Sequence, residues 1–218
     1  MSSRADLRLD WCTHEAATYA VMHWHYSKRM PMPPLVRIGV WERERFVGCV
    51  LFGRGASPML GAPYGLSQLE CCELVRIALT THTAPVSRIV KLAIRLLRAN
   101  SPGLRLIVSF ADANRGHHGG IYQAGNWMYL GKTAASVEYF HDGRWKHQRE
   151  VSGGAFGGQR KIADPAGLPK RRTEGKHRYA MPLDDDIRAK LAPHALPYPK
   201  PLTREKQAMA DSIGTAAV

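Results

Sequence analysis

The chain has 218 residues, 44% of them apolar, which is enough for one core with short additions or for two small domains. Its 31 Lys+Arg against 18 Asp+Glu leave a net charge of +13, which points to anionic partners: nucleic acid first, then phosphorylated cofactors, then anionic membrane surfaces. No apolar run reaches the roughly 18 to 20 residues that cross a bilayer, the opening MSSRADLRLDW has no apolar signal core, and Cys12, Cys49, Cys71 and Cys72 contain no C-x-x-C pair, so transmembrane, secreted, zinc-finger and collagen-like classes are excluded and an intracellular protein with reduced thiols is expected.

In chain order, the first chemical signal is His23–Pro31 (HWHYSKRMP). Read as extended chain, it puts His23 and His25 on one side and Tyr26 on the other. Histidines and tyrosine beside Lys28 and Arg29 suit nucleic-acid contact or a metal such as iron. A surface loop is the alternative. Arg37–Phe52 reads as two strands, RIGVW and FVGCVLF, around a charged turn, ERER. Glu70–Leu79 is a further strand, and Thr80–Val86 a turn-rich loop. Ser87 is the expected N-cap of a helix over Arg88–Ala99. On that helix Arg88, Lys91, Arg95 and Arg98 share one face, and Ile89, Val90, Ala93, Ile94, Leu96 and Leu97 the other. A loop-to-helix junction of this kind suits a pyrophosphate, with Arg88 adding charge; an ordinary connection is the alternative.

Ser101-Pro102-Gly103 ends the helix. Leu104–Ala111 reads as a central strand, with Asp112 at its carboxyl end, where ligands sit in α/β sheets. Asp112 is a candidate general base or metal ligand. His117-His118 follows. A short helix over Gly119–Asn126 carries Tyr122, whose hydroxyl serves either a leaving group or a core hydrogen bond. Trp127–Gly131 is a strand, and Ser136–His147 a hairpin around Asp142-Gly143. Ser152–Lys176 reads as loop; within and beside it Lys170, Arg171, Arg172, Lys176 and Arg178 are candidate phosphate-backbone contacts. A last strand, His177–Leu183, is expected to close the sheet. A short helix follows at Asp184–Leu191, started by three acids, and then a mobile tail over Pro193–Val218. The charge divides as +8 on residues 1–150 and +5 on the rest. The class is mixed α/β (α+β), one domain over 1–183 with a C-terminal extension over 184–218.

The order of ELVRIAL-TTHTAPVS-RIVKLAIRLLR and LIVSFAD…GGIYQAGNWMYLGKT resembles the strand, pyrophosphate loop, helix, strand, helix and strand of the GNAT fold of CoA-dependent N-acyltransferases. The loop departs from the usual Gln/Arg-x-x-Gly-x-Gly/Ala signature: Thr83-Ala84-Pro85-Val86-Ser87 stands in its place. More specifically, HYSKRMP (His25–Pro31), ELVRIAL (Glu73–Leu79), VSRIVKLAIRLLR (Val86–Arg98), LIVSFADANRGHHGGIYQAGNWMYLG (Leu106–Gly131) and KHRYAMPL (Lys176–Leu183) are similar to the phage Mom adenine-modification family, over roughly residues 20–183. That resemblance implies a GNAT-like fold and conversion of DNA adenine to a carbamoylmethyl (acetamido) derivative on its exocyclic amine. The mark shields phage DNA from restriction in the host cytoplasm. It implies His25, Tyr26, Arg76, Asp112 and Tyr122 as catalytic residues. Iron is implied on His25, Tyr26 and Asp112, and an acyl donor such as acetyl-CoA near Thr81, Val86, Ser87 and Arg88. Expected partners are double-stranded DNA held by Lys28, Arg29 and the 170–178 run, no membrane, and a second copy of the chain. A plain acyltransferase acting on a small-molecule or protein amine, and a non-enzymatic DNA-binding protein, are the rival readings.

Overall fold

The computed structural model describes residues 6–55, 57–153 and 161–201. The far end of the expected tail, 202–218, lies outside the described residues. The chain opens with strand β1 (Leu7–Trp11) and helix α1 (His14–Trp24). The sequence pattern announces neither. The buried residues of α1 are only Ala17, Ala20 and Val21, too small to mark a stripe. Its start is conventional, with the Thr13 hydroxyl accepting from the Ala16 N–H at 3.2 Å. Because α1 runs to Trp24, His23 sits on helix and His25 beyond it. The two do not share one side of an extended segment, as expected above.

Strands β2 (Leu35–Glu42) and β3 (Arg45–Gly53) form the expected hairpin. Its turn is the two residues Arg43 and Glu44, both at positive φ. Glu42 therefore belongs to the strand and not to the turn. Next come β4 (Cys71–Leu79), α2 (Val86–Asn100) and β5 (Leu106–Ala111). β3 and β4 are antiparallel, whereas β4 and β5 are parallel, so β4-α2-β5 is the expected βαβ crossover. Helix α2 begins one residue before Ser87. Pro85 is its N-cap and gives no side-chain bond, so Ser87 lies inside the first turn. The remaining elements are α3 (Gly120–Gln123), β6 (Met128–Lys132), β7 (Ser136–His141), β8 (Arg144–His147), α4 (Gln148–Ser152), β9 (Lys170–Thr173), β10 (His177–Pro182) and α5 (Asp185–Leu191).

One sheet has the order β1-β2-β3-β4-β5-β10-β6 and a second the order β8-β7-β9. The class is the mixed α/β one expected. β10 does not close an edge; it stands next to β5 inside the order. Its Tyr179 and Ala180 point to opposite faces and are both fully buried, as an interior strand requires.

Two compact units divide the chain: residues 1–109, 121–128 and 179–195, and residues 110–120, 129–178 and 196–218. In the first, Ala17, Ala20 and Val21 of α1 pack on Cys49, Leu51 and Ala78. The alternate residues Val50 and Phe52 are buried as well, so the sheet is covered on both faces. α2 buries Ile89, Val90, Ala93, Ile94 and Leu97. Arg105 clamps Asp184 with two bonds, 2.8 and 3.0 Å, and Asp184 also caps α5 through the Ile187 N–H. In the second unit the expected hairpin turns on Asp142 and Gly143, both at positive φ. β9 falls where loop was expected, because KRRT has no apolar alternation to read. It is held instead by a forked bond from Arg171 to Glu138, 2.8 and 2.9 Å, with the guanidinium 4.5 Å over the Trp145 ring.

Gly48 has φ +137, and a Cβ there would collide with the Ala78 carbonyl on β4. Gly143 is also at positive φ but meets nothing within 4 Å. Gly48→Ala is expected to destabilise the fold by about 3 kcal/mol or more, and Gly143→Ala by only about 1 kcal/mol. Urea-denaturation midpoints of the two variants check this.

Candidate active site

In the first unit the parallel ladder between β4 and β5 is short. It pairs Cys71, Cys72 and Glu73 with Leu106, Ile107 and Val108, while β4 runs on to Leu79. A register shift opposite Leu51 and Phe52 distorts β4 just beyond that point. There the Leu74 carbonyl takes a side-chain partner. It can only accept, so the Ser109 hydroxyl donates to it at 2.7 Å and the Tyr122 hydroxyl donates to the Ser109 oxygen at 2.7 Å. Ser109 is fully buried and Tyr122 nearly so. Burial pushes the Tyr122 phenol up to about 12. Trp127 and Tyr179 pack on its ring, each with centroids 5.1 Å away. Tyr122 thus makes the core hydrogen bond that was one of its two expected roles. Ser109 is the partner that the sequence reading missed.

His25 and Tyr26 lie just past α1, ring centroids 4.3 Å apart. The His25 Nδ1 accepts from the Ser27 N–H at 3.1 Å and from its hydroxyl at 2.8 Å. The proton of the neutral ring therefore sits on Nε2. Lys28 donates to the His23 carbonyl at 2.6 Å. Tyr26 is half exposed, as are Tyr19, Met22 and Met32. Arg76, on β4, donates to the Val75 carbonyl at 2.7 Å, and its Nε is buried with no hydrogen-bond partner.

The loop before α2 holds an anion of its own. Glu42 is only 5% exposed. Its carboxylate accepts from the Thr83 N–H (2.8 and 3.1 Å), the Thr83 hydroxyl (2.8 Å) and the Ala84 N–H (2.8 Å). Burial raises the Glu42 pKa, but these bonds outweigh it and hold the carboxyl below its ordinary range. The carbonyls of the loop are tied too. Arg45 donates to Thr81 at 2.6 Å, and the His82 Nδ1–H donates to Thr80 at 2.7 Å. Beside the loop, Arg88, Lys91, Arg95 and Arg98 of α2 border a cavity of about 640 Å³ whose other walls include Ile121, Trp127 and Pro182. None of these four cations forms an ion pair among the described residues.

In the second unit Asp112 ends β5 and caps a turn over Ala113–Arg115. Its Oδ1 accepts from the Asn114 N–H (3.1 Å) and side-chain amide (3.2 Å), while Asn114 also exchanges bonds with the Glu174 backbone. Among the described residues its Oδ2 has no bond. Of the basic residues expected on DNA, Lys170, Arg172 and Lys176 are exposed. Arg171 is committed to Glu138, and Arg178 donates to the Leu130 carbonyl at 3.1 Å.

Among the described residues, the iron expected on His25, Tyr26 and Asp112 finds no ready-made cluster of the commoner ligand types: no group of three His, Cys, Asp or Glu side chains is placed to hold a metal. The four thiols are free. Burial pushes Cys12 to about 11, Cys49 and Cys71 to about 12, and Cys72 higher, so all are neutral and unreactive.

The family model described as the Mom protein family matches residues 6–200. Methylcarbamoylase mom of Escherichia phage Mu is 27% identical over 204 residues, spanning 89% of this chain and 84% of that protein. Among solved structures, FeeM, an N-acyl amino acid synthase from uncultured soil microbes, is 12% identical with a TM-score of 0.48, covering 88% of this chain and 99% of its own. An acetyltransferase of Bacillus subtilis, in complex with CoA, is 13% identical with a TM-score of 0.48, covering 83% of this chain and 100% of its own.

A carboxyl held low contributes stability that is complete above its unfolded value, ordinarily 4.5, and is lost as pH falls through the folded value. Glu42→Ala strands three donors and is expected to cost about 2–3 kcal/mol at pH 7. Glu42→Gln should cost less and flatten the acid limb. Urea titrations at pH 7 and pH 4 measure both, and equal wild-type and Glu42→Gln losses on acidification would contradict the assignment.

Proposed function

The chain belongs to the Mom protein family, and from that premise we propose that it converts adenine in double-stranded DNA to a carbamoylmethyl (acetamido) derivative on its exocyclic amine. The observation that supports this reading is the match across residues 6–200, together with 27% identity to the phage Mu methylcarbamoylase over most of both chains. The exocyclic amine faces inward in a duplex, and its lone pair is drawn into the ring. The reaction therefore needs an unstacked base, a proton acceptor and a polarised donor.

The residues of this chain supply candidates for each. The half-exposed rings at the end of α1, Tyr26 beside His25, offer a surface on which an unstacked base rests. Lys28, Lys170, Arg172 and Lys176 meet backbone phosphates, and Arg29 belongs with them. Within the second unit, Arg171 and Arg178 hold the strands beside these cations. Asp112 takes the amine proton on Oδ2, while the bonds of Asn114 fix Oδ1. Arg76, with a buried Nε that has no protein acceptor, meets the carbonyl or anionic group of the donor. The basic cavity along α2 receives a donor that carries phosphate. The mark formed would mask restriction sites on phage DNA in the cytoplasm of the infected cell. No step is assigned to iron, and Tyr122 supports the opening between β4 and β5 from inside the core.

Expressed with a plasmid in bacteria, the protein is expected to yield a carbamoylmethyl-type deoxyadenosine on mass spectrometry of the digested plasmid. Asp112→Asn should lower that yield by about 100-fold or more while leaving DNA affinity within threefold. An unmodified adenine pool with the wild-type chain would refute the reading. Tyr122→Phe is expected to cost about 1 kcal/mol of stability and to keep the yield within a few-fold, because it removes one core bond and no reacting group.

A further inference from the structure

The loop between β4 and α2 is where the fold resemblance puts a donor's pyrophosphate, on backbone N–H groups before the helix. In this chain two of those groups are already taken. We propose that Glu42 is the resident anion of that loop, and that the phosphorylated end of the donor binds instead on the side chains of α2. This deepens the reading above and rests on it only in taking the donor to be phosphorylated.

Three observations carry the argument. First, Glu42 is buried and fully used. Both of its oxygens accept, from the Thr83 and Ala84 N–H groups and the Thr83 hydroxyl, at 2.8 to 3.1 Å. A free pyrophosphate would have to displace an anion tethered to the same chain, or lie against its charge. Second, the loop cannot offer a replacement seat by turning over its peptides. Residues 80–85 (TTHTAP) contain no glycine, Pro85 has no N–H, and the carbonyls of Thr80 and Thr81 are held by His82 and Arg45. Third, cations stand unused beside a cavity of suitable size. Arg88, Lys91, Arg95 and Arg98 border about 640 Å³ and form no ion pair among the described residues. Acids at i+3 or i+4 would balance such a row. Here α2 has no acidic residue at all. On the opposite wall Asp184 is spent on Arg105 and on the start of α5, which leaves Asp185 as one acid facing four cations.

The test uses the full chain, isotopically labelled, titrated with sodium pyrophosphate at fixed ionic strength without DNA. Arginine Nε–H resonances of Arg88, Arg95 and Arg98 are expected to shift saturably, while the amide resonances of Thr83 and Ala84 stay fixed. The Lys91→Glu/Arg95→Glu pair should weaken binding at least tenfold, and Arg54→Glu, on a loop, should change it less than twofold. Thr83 and Ala84 moving in step with the arginines, or no saturable shift anywhere, would overturn the proposal. In Glu42→Gln the resident charge is gone, and the Thr83 and Ala84 amides should begin to respond; their staying silent there would also overturn it. The titration needs no turnover, and nucleoside analysis needs no pyrophosphate, so failure of one leaves the other standing.

Discussion

The three-residue parallel ladder between β4 and β5 is the constraint on which the rest of the first unit depends. Parallel strands normally satisfy each other along their length. Here they stop at Glu73 and Val108, and the next carbonyl, that of Leu74, is left to find a partner in a dry interior. A serine hydroxyl meets it, and a tyrosine hydroxyl meets the serine. That small chain of bonds fixes α3, which carries the tyrosine, and seats Trp127 and Tyr179 around it. A gap between strands that would otherwise be costly becomes a stable opening in the sheet.

Charge is divided between fixed and free. Arg105, Arg171, Arg178 and Arg45 are all spent on specific acceptors, and each holds a particular element in place. The row on α2, with Lys170, Arg172 and Lys176 in the second unit, is not spent in this way. The net charge of +13 is therefore unevenly available to side-chain contact, and it is most concentrated along α2.

Much of this was legible in the sequence, for identifiable reasons. The crossover β4-α2-β5 was readable because α2 separates a cationic face from an apolar one, and the two hairpins because their turns stand out between alternating runs. The class, and the family to which the chain belongs, followed from motifs in that order. What failed had little apolar contrast. Helix α1 is built on alanine, and β9 is a string of cations held by one acid on its neighbour. Ser87 looked like a cap because serine favours that place, but the helix starts at Val86, behind a proline. Glu42 was hidden by its company. In Glu-Arg-Glu-Arg every residue looks like turn, and only the two-residue geometry of Arg43 and Glu44 shows that the first acid belongs to the strand and turns inward.

That inward acid bears on how such chains are recognised. A loop that binds a bulky external anion through its backbone gains from glycines, which let the chain approach the ligand closely. A loop with an anion supplied from its own hairpin has less need of them, and threonine, alanine and proline become acceptable in it. Glycine spacing is then the wrong trait by which to recognise a chain of this architecture. The informative pattern is a long-range pair: an acid at the last paired position of a hairpin, and a Thr-Ala-Pro step about forty residues later, just ahead of a helix whose outer face is all cation.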